Sequence, residues 1–168
     1  TEALEIDPKV PTAYMNRGFV LNDLGQGSKA VADFNEALKL RPDYGQAHLG
    51  LAYANLQLHR SRAALAEVNA AAKQLGENKA THMGRGEAYR QEVLLKQAEA
   101  EYREAMKLAP TDPQIHLALA DVLYRLHRYP EAIDVLQATV SLTPDNTPVY
   151  AQMAKCYAQL GRRDDALK

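Results

Sequence analysis

Residues 11–44 read PTAYMNRGFVLNDLGQGSKAVADFNEALKLRPDY, and residues 45–78 read GQAHLGLAYANLQLHRSRAALAEVNAAAKQLGEN. Laid one above the other, the two stretches agree in residue type more than in identity. Ala30 stands over Ala64, Ala37 over Ala71, Gly18 over Ala52 and Phe34 over Val68. The same offset of 34 runs through the whole chain without an insertion. Ala30, Ala64, Ala98, Ala132 and Ala166 form an unbroken row. Ala3, Ala37, Ala71 and Ala105 form another, ending at Thr139. Gly18, Ala52, Gly86, Ala120 and Ala154 are all small; Phe34, Val68, Tyr102 and Leu136 are all large and apolar. Tyr14, His48, His82, His116 and Tyr150 all carry planar rings. Pro8, Pro42, Pro110 and Pro144 share a further row, with Gly76 in its one gap. Self-similarity at a fixed period of roughly 20–50 residues marks a repeat architecture.

Each period reads as two helices, because apolar residues recur at steps of three and four within it. The first helices are expected over residues 12–24, 46–58, 80–91, 114–126 and 148–160. The second are expected over 28–40, 62–74, 96–108 and 130–142. The row of prolines closes each period, since the residue before a proline avoids the helical region. Asp112-Pro113 and Thr147-Pro148 read as an N-cap followed by proline in the first turn. The inter-helix turns carry Gly25 and Gly161, which His59 and His127 replace elsewhere, while the third period has Glu92-Val93-Leu94. Small side chains belong where two helix axes approach closely, and large ones fill the space between crossings.

Composition narrows the function. The chain has 168 residues, a net charge of −1 and 46 % hydrophobic residues, a globular composition. Near-neutral charge opposes nucleic acid as the main partner, because phosphate binding needs a basic footprint. No apolar run reaches the ~18–20 residues of a membrane span, so no membrane insertion is expected. No secretory signal is visible, and a cytoplasmic or bacterial periplasmic location is equally compatible. Thr1 is not an initiator methionine, so a fragment or processed chain is expected. Cys156 is the only cysteine, which excludes an internal disulfide and a cysteine-rich zinc site. It reads as a small buried hydrophobe rather than a reactive thiolate.

The remaining motifs give way to packing. His48, His82 and His116 sit one per period, too far apart in a stack to share a metal. Gly84-Arg85-Gly86 lacks the third glycine and the preceding strand of a phosphate loop. No nucleophile elbow, His–Glu pair or converging acid pair is present. No catalytic residue, metal or cofactor is therefore expected.

The period and the residue types at its fixed places resemble the tetratricopeptide repeat family over the whole chain. The resemblance implies an all-α fold, a right-handed superhelical solenoid of antiparallel helix pairs. It divides residues 1–168, as a single array, into the end of a partial repeat (1–10), four full repeats (11–44, 45–78, 79–112, 113–146) and a further partial repeat (147–168). No period has tryptophan at its aromatic place, a departure from the family pattern.

In the family the first helices line the concave side of the superhelix. Carried over by the repeat, that groove shows Thr12, Met15, Asn16, Phe19, Asn22 and Asp23, then Gln46, Leu49, Tyr53, Leu56 and Gln57. It continues with Met83, Glu87, Arg90 and Gln91, then Gln114, Leu117, Asp121, Tyr124 and Arg125, and ends with Ala151, Gln152, Lys155 and Gln159. One row is apolar throughout (Met15, Leu49, Met83, Leu117, Ala151) and reads either as groove or as core. Phe19 and Tyr53 are large apolar groups on an otherwise solvated face, which points to a partner.

The resemblance implies a protein–protein interaction module or scaffold that holds a peptide or protein segment. A rival reading is a regulatory or targeting segment of a larger enzyme. RNA recognition, as in the related pentatricopeptide repeats, is opposed by the strict 34-residue phase and the neutral charge. Chaperone-binding members hold a C-terminal carboxylate with Lys, Asn and Arg from three successive repeats. Here the first such set is Met15, Phe19, Gly50, Ala80 and Gly84, and the two later frames are equally without donors. No binding of acidic chaperone tails is expected. Finally, both ends lie inside second helices with no polar cap. Head-to-tail self-association of residues 161–168 with residues 1–10 of another copy is the resulting expectation, an open, non-closing contact.

Overall fold

The computed structural model describes residues 9–161. The expected contact between residues 161–168 and residues 1–10 lies almost entirely outside them, as do Ala3 and Ala166. Among the described residues there are nine α-helices and no strand. They fall into two compact units, Thr1–Glu92 and Val93–Lys168. The first holds α1 (Pro11–Asp23), α2 (Gly27–Leu40), α3 (Gly45–Gln57), α4 (Ser61–Leu75) and α5 (Lys79–Gln91). The second holds α6 (Leu95–Leu108), α7 (Pro113–Arg125), α8 (Tyr129–Leu142) and α9 (Thr147–Gln159). Within the first unit each helix packs on the next, and α3 also packs on both α1 and α5. Within the second, successive helices pack likewise and α7 also packs on α9.

The helices begin up to one residue earlier than the sequence suggests. Thr147 is the clearest case: Asn146 is the N-cap, without a side-chain cap bond, and Thr147 is already helical. Proline is accepted anywhere in the first turn, where its missing N–H has no partner to lose, so Pro148 fixes the start only to within a residue. Asp112 caps as expected, its carboxylate accepting from the Gln114 N–H at 3.0 Å. At α5, Asn78 and Thr81 exchange side-chain and backbone bonds in a full capping box, which satisfies donors the helix leaves free.

The turn inside each helix pair repeats one geometry. Gly25, His59, Val93, His127 and Gly161, spaced by the period, all have positive φ, between 54° and 71°. At Gly25, the Gln26 N–H reaches the Leu21 carbonyl at 2.8 Å and the Gly25 N–H the Asn22 carbonyl at 3.0 Å. The turns at His59 and His127 repeat both bonds, the Schellman pattern that satisfies the last carbonyls of a helix. Between pairs, Arg41, Ala109 and Thr143 leave the helical region just ahead of Pro42, Pro110 and Pro144, as pre-proline sterics require.

The rows of the sequence are the buried rows of the fold. Ala30, Ala64, Ala98 and Ala132 are fully buried, as are Ala37, Ala71, Ala105 and Thr139, and Phe34, Val68, Tyr102 and Leu136. Gly18, Ala52, Gly86 and Ala120 are buried too, while Ala154 is half-buried. Phe34 shows why a neighbouring place demands glycine. A Cβ built on Gly18 would stand 2.9 Å from the Phe34 ring, and one built on Gly50 would overlap it. Val68 makes the same demand on Gly84, at 2.8 Å. The Gly84-Arg85-Gly86 run therefore lies inside α5 as a packing feature.

Candidate functional site

The histidines of the ring row are tied into the packing. The two ring nitrogens of His48 lie 2.6 Å from a Glu67 carboxylate oxygen and 3.0 Å from the Pro42 carbonyl. His116 is buried, with Nδ1 2.6 Å from the Thr139 hydroxyl, and burial pulls its pKa below the ordinary value. Among the described residues no three His, Cys, Asp or Glu side chains converge as metal ligands. Cys156 is buried, and desolvation pushes its thiol pKa up, the opposite of what activates a nucleophile.

A feature that can hold a ligand lies in the first unit, across its three first helices. A cleft of about 460 Å³ is walled by Phe19, Asn22 and Asp23 of α1 and by Tyr53, Leu56 and Gln57 of α3. Glu87 and Gln91 of α5 complete it. Residues 19, 53 and 87 occupy one place in the period, and so do 23, 57 and 91. The cleft is thus the repeat lattice expressed as a surface: equivalent side chains project from three parallel helices spaced by one repeat.

Its walls are held firmly. Phe19 packs edge-on against buried Phe34, ring centroids 5.1 Å apart. The Tyr53 hydroxyl donates to the Ala80 carbonyl at 3.2 Å, and burial pushes its pKa up. Gln57 donates its amide to the Asn22 carbonyl at 2.9 Å, and Gln91 does the same to the Leu56 carbonyl at 3.1 Å. Each glutamine latches its first helix to the one before it, 34 residues earlier. Glu87 is bonded by Arg90 at 2.8 Å and by Gln91 at 3.2 Å. Asn22 is 7 % exposed, and its side-chain oxygen is buried without a hydrogen-bond partner. Such an orphan is unusual, because leaving a buried acceptor unsatisfied costs about 1–3 kcal/mol.

The structure brings Phe19, Asn22, Tyr53, Leu56 and Glu87 together, with Arg90 beside Glu87. Met15 instead lies in the core with Phe34, Ala47 and Leu51. Leu49 and Met83 are half-buried and Asn16 is exposed, all outside the cleft. The residues expected further along lie in the second unit. There Asp121 pairs with Arg125 at 3.0 Å, Tyr124 stacks edge-on with Tyr129 at 5.3 Å, and Lys155 is exposed. The latch role of Gln57 and Gln91 and the burial of Asn22 were missed. Only the glutamine recurring one period apart hinted at the first, and nothing in the sequence signalled the second. A further cleft in the second unit, about 490 Å³ and lined by Met106, Pro110, His116 and Val135 among others, was not foreseen either.

Helix hairpins repeating every 34 residues, with a cleft built from the same places of successive repeats, define an α-helical repeat protein. Family profiles for the tetratricopeptide repeat match residues 11–44, 56–113, 94–151 and 127–168. The chain belongs to the tetratricopeptide repeat family, whose arrays are protein-interaction modules. No curated protein matches it by sequence. Solved structures share the fold. TTC0263, a TPR protein of Thermus thermophilus, superposes with a TM-score of 0.78 at 25 % identity, covering 94 % of this chain and 87 % of that one. YrrB, described as a TPR protein with an unusual peptide-binding site, gives 0.73 at 19 %, covering 99 % and 86 %. MamA gives 0.77 at 19 %, covering 94 % and 86 %. Among the described residues no helix is long and apolar enough to cross a membrane.

Proposed function

We propose that the chain binds a protein segment along its first-helix face, and that the cleft between α1, α3 and α5 is the principal seat. The observation that carries this reading is the convergence of Phe19, Tyr53 and Glu87, one from each of three successive repeats, on a single opening. Two half-buried aromatic walls and a few placed polar groups are the usual make-up of a recognition cleft. YrrB, with a peptide-binding site on the same fold, is compatible with it.

Energetics set the size of the ligand. Burying one aromatic side chain removes about 150–250 Å² from water, worth roughly 4–6 kcal/mol at about 25 cal/mol per Å². Association costs about 4–15 kcal/mol. A single anchor is therefore insufficient, and a stable ligand spans two or more repeats. Amide NMR shift mapping with a peptide selected on the purified chain tests the proposal. Perturbations centred on Phe19, Tyr53 and Glu87 are expected. A map confined to the second helices α2 and α4 would refute it.

A further inference from the structure

The fourth period departs from the repeat where the cleft of the second unit lies. Val135 stands where the earlier periods carry Asp33, Glu67 and Glu101, and Ala138 stands where two of them carry Glu36 and Glu104. In the first unit the acids of the former row meet Arg17 and His48. Here the acid has moved one place, to Asp134, in a row otherwise of alanines (Ala32, Ala66, Ala100). The result is a hollow of about 490 Å³ into which Met106 and Lys107 of α6, Pro110, and Asp134, Val135 and Ala138 of α8 all face. A second departure lies in the same unit. The turn row carries Gly25, His59, His127 and Gly161, but Val93 in the third period. Val93 is held at φ 60° and is 68 % exposed, and Leu94 beside it is exposed as well. A β-branched side chain is costly in the left-handed region, and this one gains little burial in return. Strain of that kind persists at places where function uses it.

We propose that the Val93-Leu94 turn of one copy seats in this cleft of a second copy. Both surfaces belong to the second unit, and the inference is independent of the groove reading above. The two apolar side chains fill the hollow against Met106, Val135 and Ala138. The charges match. Lys96, in the first turn of α6, and Asp134, beside the hollow, are both exposed, and among the described residues neither has a charged or hydrogen-bonding partner. Lys107 is already paired with Glu104 at 2.6 Å, which leaves Asp134 as the open partner for Lys96. The helix α6 carries the turn at its start and part of the cleft at its end. Lys96 and Lys107 are eleven residues apart, close to three full turns, and so share one face of it. Two copies with their α6 helices antiparallel therefore offer turn to cleft twice, about a two-fold axis. Such a contact is isologous and closes as a dimer, unlike the open contact between chain ends expected from the sequence.

The test is sedimentation velocity on the intact chain at low ionic strength, where the ion pair is least screened. Two small seats make a weak interface, so the series runs up to about 1 mM. A monomer–dimer equilibrium is expected. Val93→Gly removes the seated side chain from a turn that suits glycine, so the variant stays folded, and dimerisation should weaken about tenfold or more. Leu24→Ser, a change at a comparably exposed apolar residue of the first unit, should leave it unchanged. Lys96→Asp and Asp134→Lys should each weaken the dimer, because each sets like charges against one another. The double variant Lys96→Asp/Asp134→Lys restores opposite charges and should recover most of the association. A strict monomer throughout the series, a dimer indifferent to Val93→Gly, or a double variant weaker than either single one would overturn the inference.

Discussion

Gly50→Ala tests the packing argument, because two well-defined effects oppose each other there. Gly50 lies within α3, where alanine is favoured over glycine by about 1 kcal/mol. On propensity alone the variant should be more stable. The structure says otherwise. A Cβ on Gly50 would overlap the end of the Phe34 ring. Phe34 cannot turn aside easily: it is fully buried, Phe19 packs on its edge, and Gly18 already leaves only contact distance on another side. Inserting a methyl group into a filled core costs about 1–3 kcal/mol, occasionally more. The clash should outweigh the propensity gain and leave a net loss of roughly 1–2 kcal/mol. In a domain of this size that lowers the melting temperature by about 3–6 °C. Urea unfolding followed by circular dichroism reads it as a lower midpoint at unchanged slope. Adding Phe34→Leu should relieve part of the Gly50→Ala loss, a coupling a double-mutant cycle isolates. A Gly50→Ala midpoint equal to or above the parent's would refute the reasoning.

Val93 is a β-branched residue at φ 60°, 68 % exposed. Val93→Gly should stabilise the chain by about 1 kcal/mol, the left-handed strain of about 1–2 kcal/mol less the unfolded-state entropy glycine adds; a lower urea midpoint would contradict this. Ala132 is fully buried, so Ala132→Leu should cost about 1–3 kcal/mol by overpacking, and an unchanged midpoint would show the row is not a tight contact. Asn22→Leu removes an unsatisfied buried acceptor, which should stabilise the fold by about 1 kcal/mol, read as a higher urea midpoint; a fall in stability would show that the Asn22 side chain makes a structural bond. Burial lowers the His116 pKa in the fold, so the unfolded chain takes up its proton first as pH falls below about 6.5. Stability should therefore be full above that value and decline as the pH falls below it, with His116→Gln showing a shallower decline over the same acid range; parallel curves would refute it.

Much of this was legible in the sequence because a repeat reports each packing environment several times. One buried alanine says little, but Ala30, Ala64, Ala98 and Ala132 at a constant spacing identify a helix crossing, and all four are fully buried. Gly25, His59, His127 and Gly161 of the turn row were legible for the same reason, whereas Val93, which takes the same left-handed conformation, carried no residue type that marks it. The cleft was legible as a set of helix positions, since places 34 residues apart must project from one face. Depth was not legible. Met15 and Phe19 sit one turn apart on α1, yet Met15 joins the core and Phe19 walls the cleft. The difference comes from how closely the neighbouring helices approach, which periodicity does not encode. Hydrogen bonds between repeats were likewise hidden. The Gln57 and Gln91 latches depend on a carbonyl one repeat away, near the end of the preceding first helix.

The central claim, that a protein segment is held on the first-helix face, is open to a direct optical test because the chain contains no tryptophan. A reporter introduced as Asn16→Trp stands exposed on α1, along the face that carries Phe19. A second reporter, Glu36→Trp, stands half-exposed on α2, the second helix of the same pair. Titrating each with a library-selected peptide and recording indole emission distinguishes the faces in one experiment. A saturable shift from Asn16→Trp with none from Glu36→Trp is the result predicted. A saturable shift from Glu36→Trp with a silent Asn16→Trp would contradict the account.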